Sequence, residues 1–184
     1  MTQYIPDIYF EYLLNEIAKS DELALCSVQP LVYFQAIWPA LRINSTSYLV
    51  GNLMRPPTPN GFVYECVVEG VSGGIEPAYG VVQDAEFSDG SVTWKSHRNY
   101  SIANAVIGVD EMVITDETYG KKLTTPQKGS VTHIEGEATH TALICNSDRT
   151  LKLVTTCVTD QQDNLLLSGR TIVFRSFSFN RYNL

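Results

Sequence analysis

Apolar residues recur at helical spacing near the start of the chain. Ile5, Ile8, Tyr9, Tyr12, Leu13 and Ile17 include pairs three and four residues apart all along the segment, which places them along one face of an α-helix. Phe10 and Leu14 widen that stripe, and Glu11, Asn15, Glu16 and Lys19 fall mostly opposite it. Pro6 fits only the first turn, and Asp7 caps or complements the positive end. A helix with so broad an apolar stripe suits packing on a sheet or on a neighbouring subunit.

After Ser20 the period shortens. Residues 31–43 are rich in β-formers but carry Pro39, which predicts an edge or bulged strand. Residues 47–54 read as a further strand. The run Arg55-Pro56-Pro57-Thr58-Pro59-Asn60-Gly61 then breaks any regular element and predicts a module junction. Residues 62–69 alternate, with Phe62, Tyr64, Cys66 and Val68 on one side and Val63, Glu65, Val67 and Glu69 on the other. A long loop over 70–89 ends at the Asp89-Gly90 turn, and Val92 and Trp94 alternate inward on the next strand. The last part of the chain reads as strands at 105–114, 131–135, 140–145, 150–158 and 170–180, separated by Asn146-Ser147-Asp148, a polar loop at 161–164 and Ser168-Gly169. Short strands between turns are the pattern of a sandwich or barrel. The expected fold is mainly β: an N-terminal helix, an inserted small β-hairpin module and a C-terminal antiparallel β-sandwich. The expected divisions are 1–59, 60–98 and 99–184.

The 184 residues correspond to one domain or two small ones. Charged residues are only 18% and hydrophobic residues 44%, which excludes a disordered polyanion and a coiled coil. The net charge of −7 argues against a protein that tracks a nucleic-acid backbone, which needs a basic face. The charge is uneven. The stretch 61–137 is rich in acids, whereas 138–184 carries Arg149, Lys152, Arg170, Arg175 and Arg181 against Asp148, Asp160 and Asp163. Such asymmetry fits solvated faces of opposite sign, or head-to-tail contact between copies.

Cys26, Cys66, Cys145 and Cys157 contain no C-x-x-C pair and are expected to be free thiols. Met1-Thr2-Gln3-Tyr4 opens no secretory signal, and no apolar run is long enough for a transmembrane helix. There is no G-x-S-x-G, H-E-x-x-H, Walker loop or G-x-G-x-x-G. Lys128-Gly129-Ser130 lacks the glycine spacing of a phosphate loop. His133, Glu135 and Glu137 could share one face of a strand as three metal ligands, but Gly136 bends the chain there. Cys145 or Cys157 with His140 meets a nucleophile–base arrangement only through the fold. The pairs Asp110-Glu111 and Asp116-Glu117 read as loop solubilisers rather than catalytic acids. The sequence therefore predicts no enzyme, no cofactor and no metal.

Residues 60–95 read N-G-F-V-Y-E-C-V-V-E-G-V-S-G-G-I-E-P, a variable loop, then D-G-S-V-T-W-K. This resembles a short module of tailed-bacteriophage particle proteins: an aromatic-rich strand, a G-x-S-G-x-x-E-P turn and a D-G-x-V-x-W strand. The Trp-Pro often seen after Glu-Pro is missing. The segment Gly136-Glu137-Ala138-Thr139-His140-Thr141-Ala142-Leu143, with Leu167-Ser168-Gly169-Arg170 further on, is similar to β-domains of phage virions. The resemblance implies a structural subunit at the neck, collar or head-to-tail connection. Such a subunit would form a ring and hold neighbouring tail or fibre proteins. It would sit in the virion, with no membrane and no sequence-specific nucleic-acid partner. A carbohydrate-binding or capsid-decorating β module is the alternative. Partner contacts are expected at Tyr9, Phe10, Tyr64, Tyr79, Trp94, Arg175 and Arg181; the alternative for Tyr64 and Trp94 is that they form the core of their own hairpin.

Overall fold

In the computed structural model the structure describes residues 7–108, 110–117, 120–157 and 165–180. The protein is mainly β, with one N-terminal helix and several antiparallel sheets. It divides into two units: Met1–Tyr33 with Ile102–Leu184, and Phe34–Ser101.

In the first unit the helix Asp7–Ala18 packs on the strands Val113–Glu117 and Gly120–Thr124. The face it buries is only one edge of the broad stripe the spacing predicts. Phe10, Leu14 and Ile17 are buried, whereas Ile8, Tyr9 and Tyr12 are 75%, 67% and 66% exposed and Leu13 also faces outward. Both sides of this helix are apolar, so periodicity alone cannot choose between them; the sheet selects the i, i+4, i+7 set. Phe10, Leu14 and Ile17 join Leu23, Leu25, Ile102, Leu123, Leu143, Phe174 and Phe179 in one core. A four-stranded sheet supplies much of it, in the order Thr150–Thr156, His140–Cys145, Glu22–Cys26, Ser101–Val106. Leu23 lies opposite Leu143 and Leu143 opposite Leu153, so one apolar row crosses three strands.

The strand expected at 140–145 is present as His140–Cys145, and that at 150–158 as Thr150–Thr156. The others shift. Residues 105–114 hold the end of Ser101–Val106 and the start of Val113–Glu117; 170–180 splits into Thr171–Phe174 and Ser178–Asn180. In place of 131–135 the strand is Lys128–Val131, paired with Thr171–Phe174. Gly120–Thr124, with its two lysines, is a strand that the alternation did not reveal.

The second unit is built on the sheet Leu53–Met54, Phe62–Val68, Val92–Arg98, Glu86–Asp89. No strand spans 31–43. Tyr33–Gln35 is a single 3-10 turn and Leu41 makes one isolated bridge to Arg55, because Pro39 denies that segment a regular ladder. The Pro-rich run at 55–59 is not a boundary. It connects Leu53–Met54 to Phe62–Val68, which pair antiparallel within the unit. The unit therefore begins at Phe34 rather than at residue 60. Its two ends are fastened together: the Asn99 side-chain amide donates to the carbonyls of Phe34 and Ile37 at 2.8 and 2.7 Å, and the Tyr100 N–H donates to the Gln35 carbonyl at 2.7 Å. Among the described residues no helix is long and apolar enough to cross a membrane.

Candidate functional site

The residues that carry the sequence pattern come together in the second unit, around one ion pair. Asp89 ends the strand Glu86–Asp89, and Gly90 turns the chain with φ of +66° into Val92–Arg98. Arg42, from the irregular segment before the sheet, bonds Asp89 through both carboxylate oxygens, Nε to Oδ2 at 2.6 Å and Nη2 to Oδ1 at 2.7 Å. Both side chains are only 2% exposed. Asp89 also accepts from the Trp94 indole N–H at 3.1 Å and from the Gly73 backbone N–H at 2.9 Å. Burial alone would push the Asp89 carboxyl up; the bonds from Arg42, Gly73 and Trp94 outweigh it and hold the group below the ordinary carboxylate value. Its partner Arg42 is held above the ordinary arginine value, chiefly by the bond to Asp89.

The same cluster explains the G-x-S-G-x-x-E-P turn. Arg42 donates to the carbonyls of Gly73 and Ile75 and to the Asn44 side chain. The Ser72 hydroxyl donates to the Ile43 carbonyl at 2.7 Å and accepts from the Thr46 N–H at 3.0 Å. A Cβ on Gly70 would lie 2.6 Å from the Ser91 carbonyl oxygen, so only glycine lets the turn approach the hairpin. These motif residues close the unit on itself. Beside Arg42 lies a cleft of about 490 Å³ lined by Leu41, Arg42, Ile43, Asn44, Pro57 and Glu76. Arg42 forms its wall rather than a ligand, since its donors are committed to Asp89, Asn44, Gly73 and Ile75.

Of the aromatic residues expected to meet a partner, Tyr64 and Trp94 are fully buried with Met54, Phe62, Cys66 and Val92. Tyr64 donates its hydroxyl to the Gly80 carbonyl at 2.9 Å and stacks obliquely on Tyr79, ring centroids 5.3 Å apart. Tyr79 is half-buried and meets Phe87 edge-on. Tyr64, Tyr79 and Trp94 therefore form the unit's interior and offer no stacking platform to a sugar. Phe10 is core in the first unit. Tyr9 and Arg175 are exposed, and Arg181 lies outside the described residues. Sequence reading missed Arg42; a lone arginine before a broken segment carries no local signal of a partner 47 positions away.

His133 and Glu135 sit outside any strand, and Glu137 lies on the two-residue strand Gly136–Glu137, so the three do not share one strand face. The His140 ring shares a hydrogen bond with the Thr139 hydroxyl at 2.8 Å. Among the described residues no group of three His, Cys, Asp or Glu side chains is placed to hold a metal ion. The thiols are free and mostly buried; burial pushes Cys26 up to about 12 and keeps Cys157 above its ordinary value, the opposite of an activated nucleophile.

A second basic residue of this unit is buried against an aromatic ring. His97 stacks flat on Phe34, centroids 3.8 Å apart, and its Nε2 lies 3.2 Å from Glu65 Oε2. Burial lowers its pKa below the ordinary 6.5, against the pull of Glu65; Lys95 and Asp84 also face it. A histidine whose folded pKa is depressed contributes stability above its unfolded pKa, which disappears as pH falls through the folded value. The urea midpoint of the unit is expected to fall as pH is lowered below 6.5, and His97→Phe should flatten that slope. An unchanged slope in the variant would assign the acid sensitivity elsewhere.

The chain matches no family model, no curated protein and no solved structure.

Proposed function

We propose that this chain is a structural subunit of a tailed-bacteriophage particle, placed at the neck or head-to-tail connection. There it assembles as a ring and holds neighbouring tail or fibre proteins. The observation that carries this reading is the outer face of the helix Asp7–Ala18. Ile8, Tyr9, Tyr12 and Leu13 stand out from a helix whose opposite face is already packed on its own sheet. Exposed apolar groups gathered on one face mark contact with another protein, and tyrosines are favoured anchors at such contacts. The phage-like module supports the same reading, because its motif residues are spent on holding the module rigid. A basic C-terminal stretch and an acid-rich middle favour head-to-tail contact, which closes into a ring when the rotation permits.

Light scattering on the purified chain should give an oligomer, and Tyr9→Ser with Tyr12→Glu should dissociate it by at least tenfold in concentration without lowering the thermal midpoint. Phe10→Ala, by contrast, is expected to destabilise the fold by about 3–5 kcal/mol. A monomer at particle-like concentrations, or mass spectrometry of purified virions that finds no copy of the chain, would overturn the proposal.

A further inference from the structure

We propose that Arg55 and Trp38 form a binding site for a carboxylate, supplied by an aspartate or glutamate side chain of a partner protein segment. The guanidinium carbon of Arg55 lies 4.5 Å from the centroid of the Trp38 ring. Arg55 is half-buried, and its Nε is shielded from solvent with no hydrogen-bond partner. None of the ion pairs among the described residues includes it. Burial lowers its pKa and nothing offsets the shift. Arg42, in the same unit, shows the contrast: it is buried with a bidentate carboxylate. With Asp and Glu at 20 against 13 Lys and Arg, the chain does not lack acids for Arg55. A cation taken out of water without a counter-ion costs free energy, and an incoming anion recovers it.

The geometry selects the anion. Trp38 lies against the guanidinium and Nε is shielded from solvent, which leaves the terminal Nη1–Nη2 edge as the direction of approach. That edge matches the two oxygens of a carboxylate, and the ring beneath strengthens the pair by excluding water from one side. The backbone is fixed before any ligand arrives. The Arg55 N–H donates to the Ala40 carbonyl and the Arg42 N–H donates to the Arg55 carbonyl, both at 3.0 Å, and Pro56 and Pro57 follow. A preordered site loses little entropy on binding. An extended polyanion is disfavoured by the net charge of −7, whereas a single carboxylate on a protein segment is not. The inference requires only an acidic partner segment and stands whether or not the chain belongs to a phage particle.

The test is a titration of the full chain at low ionic strength, followed by the indole N–H resonances. Trp94 is fully buried and serves as the internal reference. An acetylated and amidated glycine peptide carrying a single glutamate is expected to shift the Trp38 signal saturably, with affinity falling at least threefold as salt is raised. Arg55→Gln should abolish the shift and Arg55→Lys should keep a weakened one. No shift, or the same shift in Arg55→Gln, would overturn the site. Inorganic phosphate binding as tightly as the peptide would overturn the carboxylate assignment, and acetate binding as tightly would overturn a protein segment as its source. Arg55→Met is expected to match or raise the thermal midpoint; a lower midpoint would mean that Arg55 is already satisfied within the fold and would overturn the proposal.

Discussion

Asp89→Ala is expected to destabilise the Phe34–Ser101 unit by about 3–5 kcal/mol, the range for removing one partner of a buried ion pair. The cost comes less from the lost attraction than from what remains. Arg42 is left charged and 2% exposed, with its Nε no longer bonded, and the Trp94 indole and the Gly73 N–H lose their acceptor. A small β unit has a net stability of the same order as this loss, so the variant should be largely unfolded in this unit. The measurement is urea denaturation followed by tryptophan emission. A loss under 1 kcal/mol would mean that solvent reaches Arg42. Because folding depresses the Asp89 pKa, its contribution is fully present above the ordinary 3.8 and vanishes as pH falls through the lower folded value. The wild-type unit should therefore lose stability again in strong acid, well below the range in which His97 titrates.

Trp94→Ala should cost a similar amount, about 3–5 kcal/mol, through the cavity left among Tyr64, Cys66, Val92 and Phe87 and the lost contact with the Tyr48 ring. Trp94→Phe separates the two contributions. It keeps most of the apolar volume but removes the donor to Asp89, and is expected to cost about 1–2 kcal/mol. Since Trp94 and Asp89 share one bond, the double variant Asp89→Ala with Trp94→Phe should fall short of the sum of the singles by at least about 0.5 kcal/mol. Strict additivity would place the indole outside the network.

Local patterns were legible in the sequence where neighbours along the chain decide the outcome. The Asp89-Gly90 turn, the alternation that buries Tyr64 and Trp94, and the strand His140–Cys145 each show as a pattern within a short stretch of chain, even where the strands pair across long separations. The failures share a different cause. Arg42 meets Asp89 across 47 positions, and no local rule links them. Residues 31–43 have the composition of a strand but find no partner ladder, apart from the single bridge at Leu41. The helix carries apolar residues on both sides, so which side is buried is set by the sheet it meets, not by its own period. The proline run looked like a boundary because it breaks regular structure; here it links two paired strands instead. The candidate site was legible only as a motif. Its role as an internal fastening appeared once Ser72, Gly73 and Arg42 were seen to bond one another's segments.

The Asn99 amide that ties Phe34 and Ile37 to the returning chain has a practical consequence. A unit whose entry and exit are hydrogen-bonded side by side can be grafted as a cassette into a tight turn of an unrelated host protein, without stretching the host's flanking strands. Transplanted with residues 34–101 intact, it should carry the Arg55–Trp38 pair to a new scaffold as a single portable part.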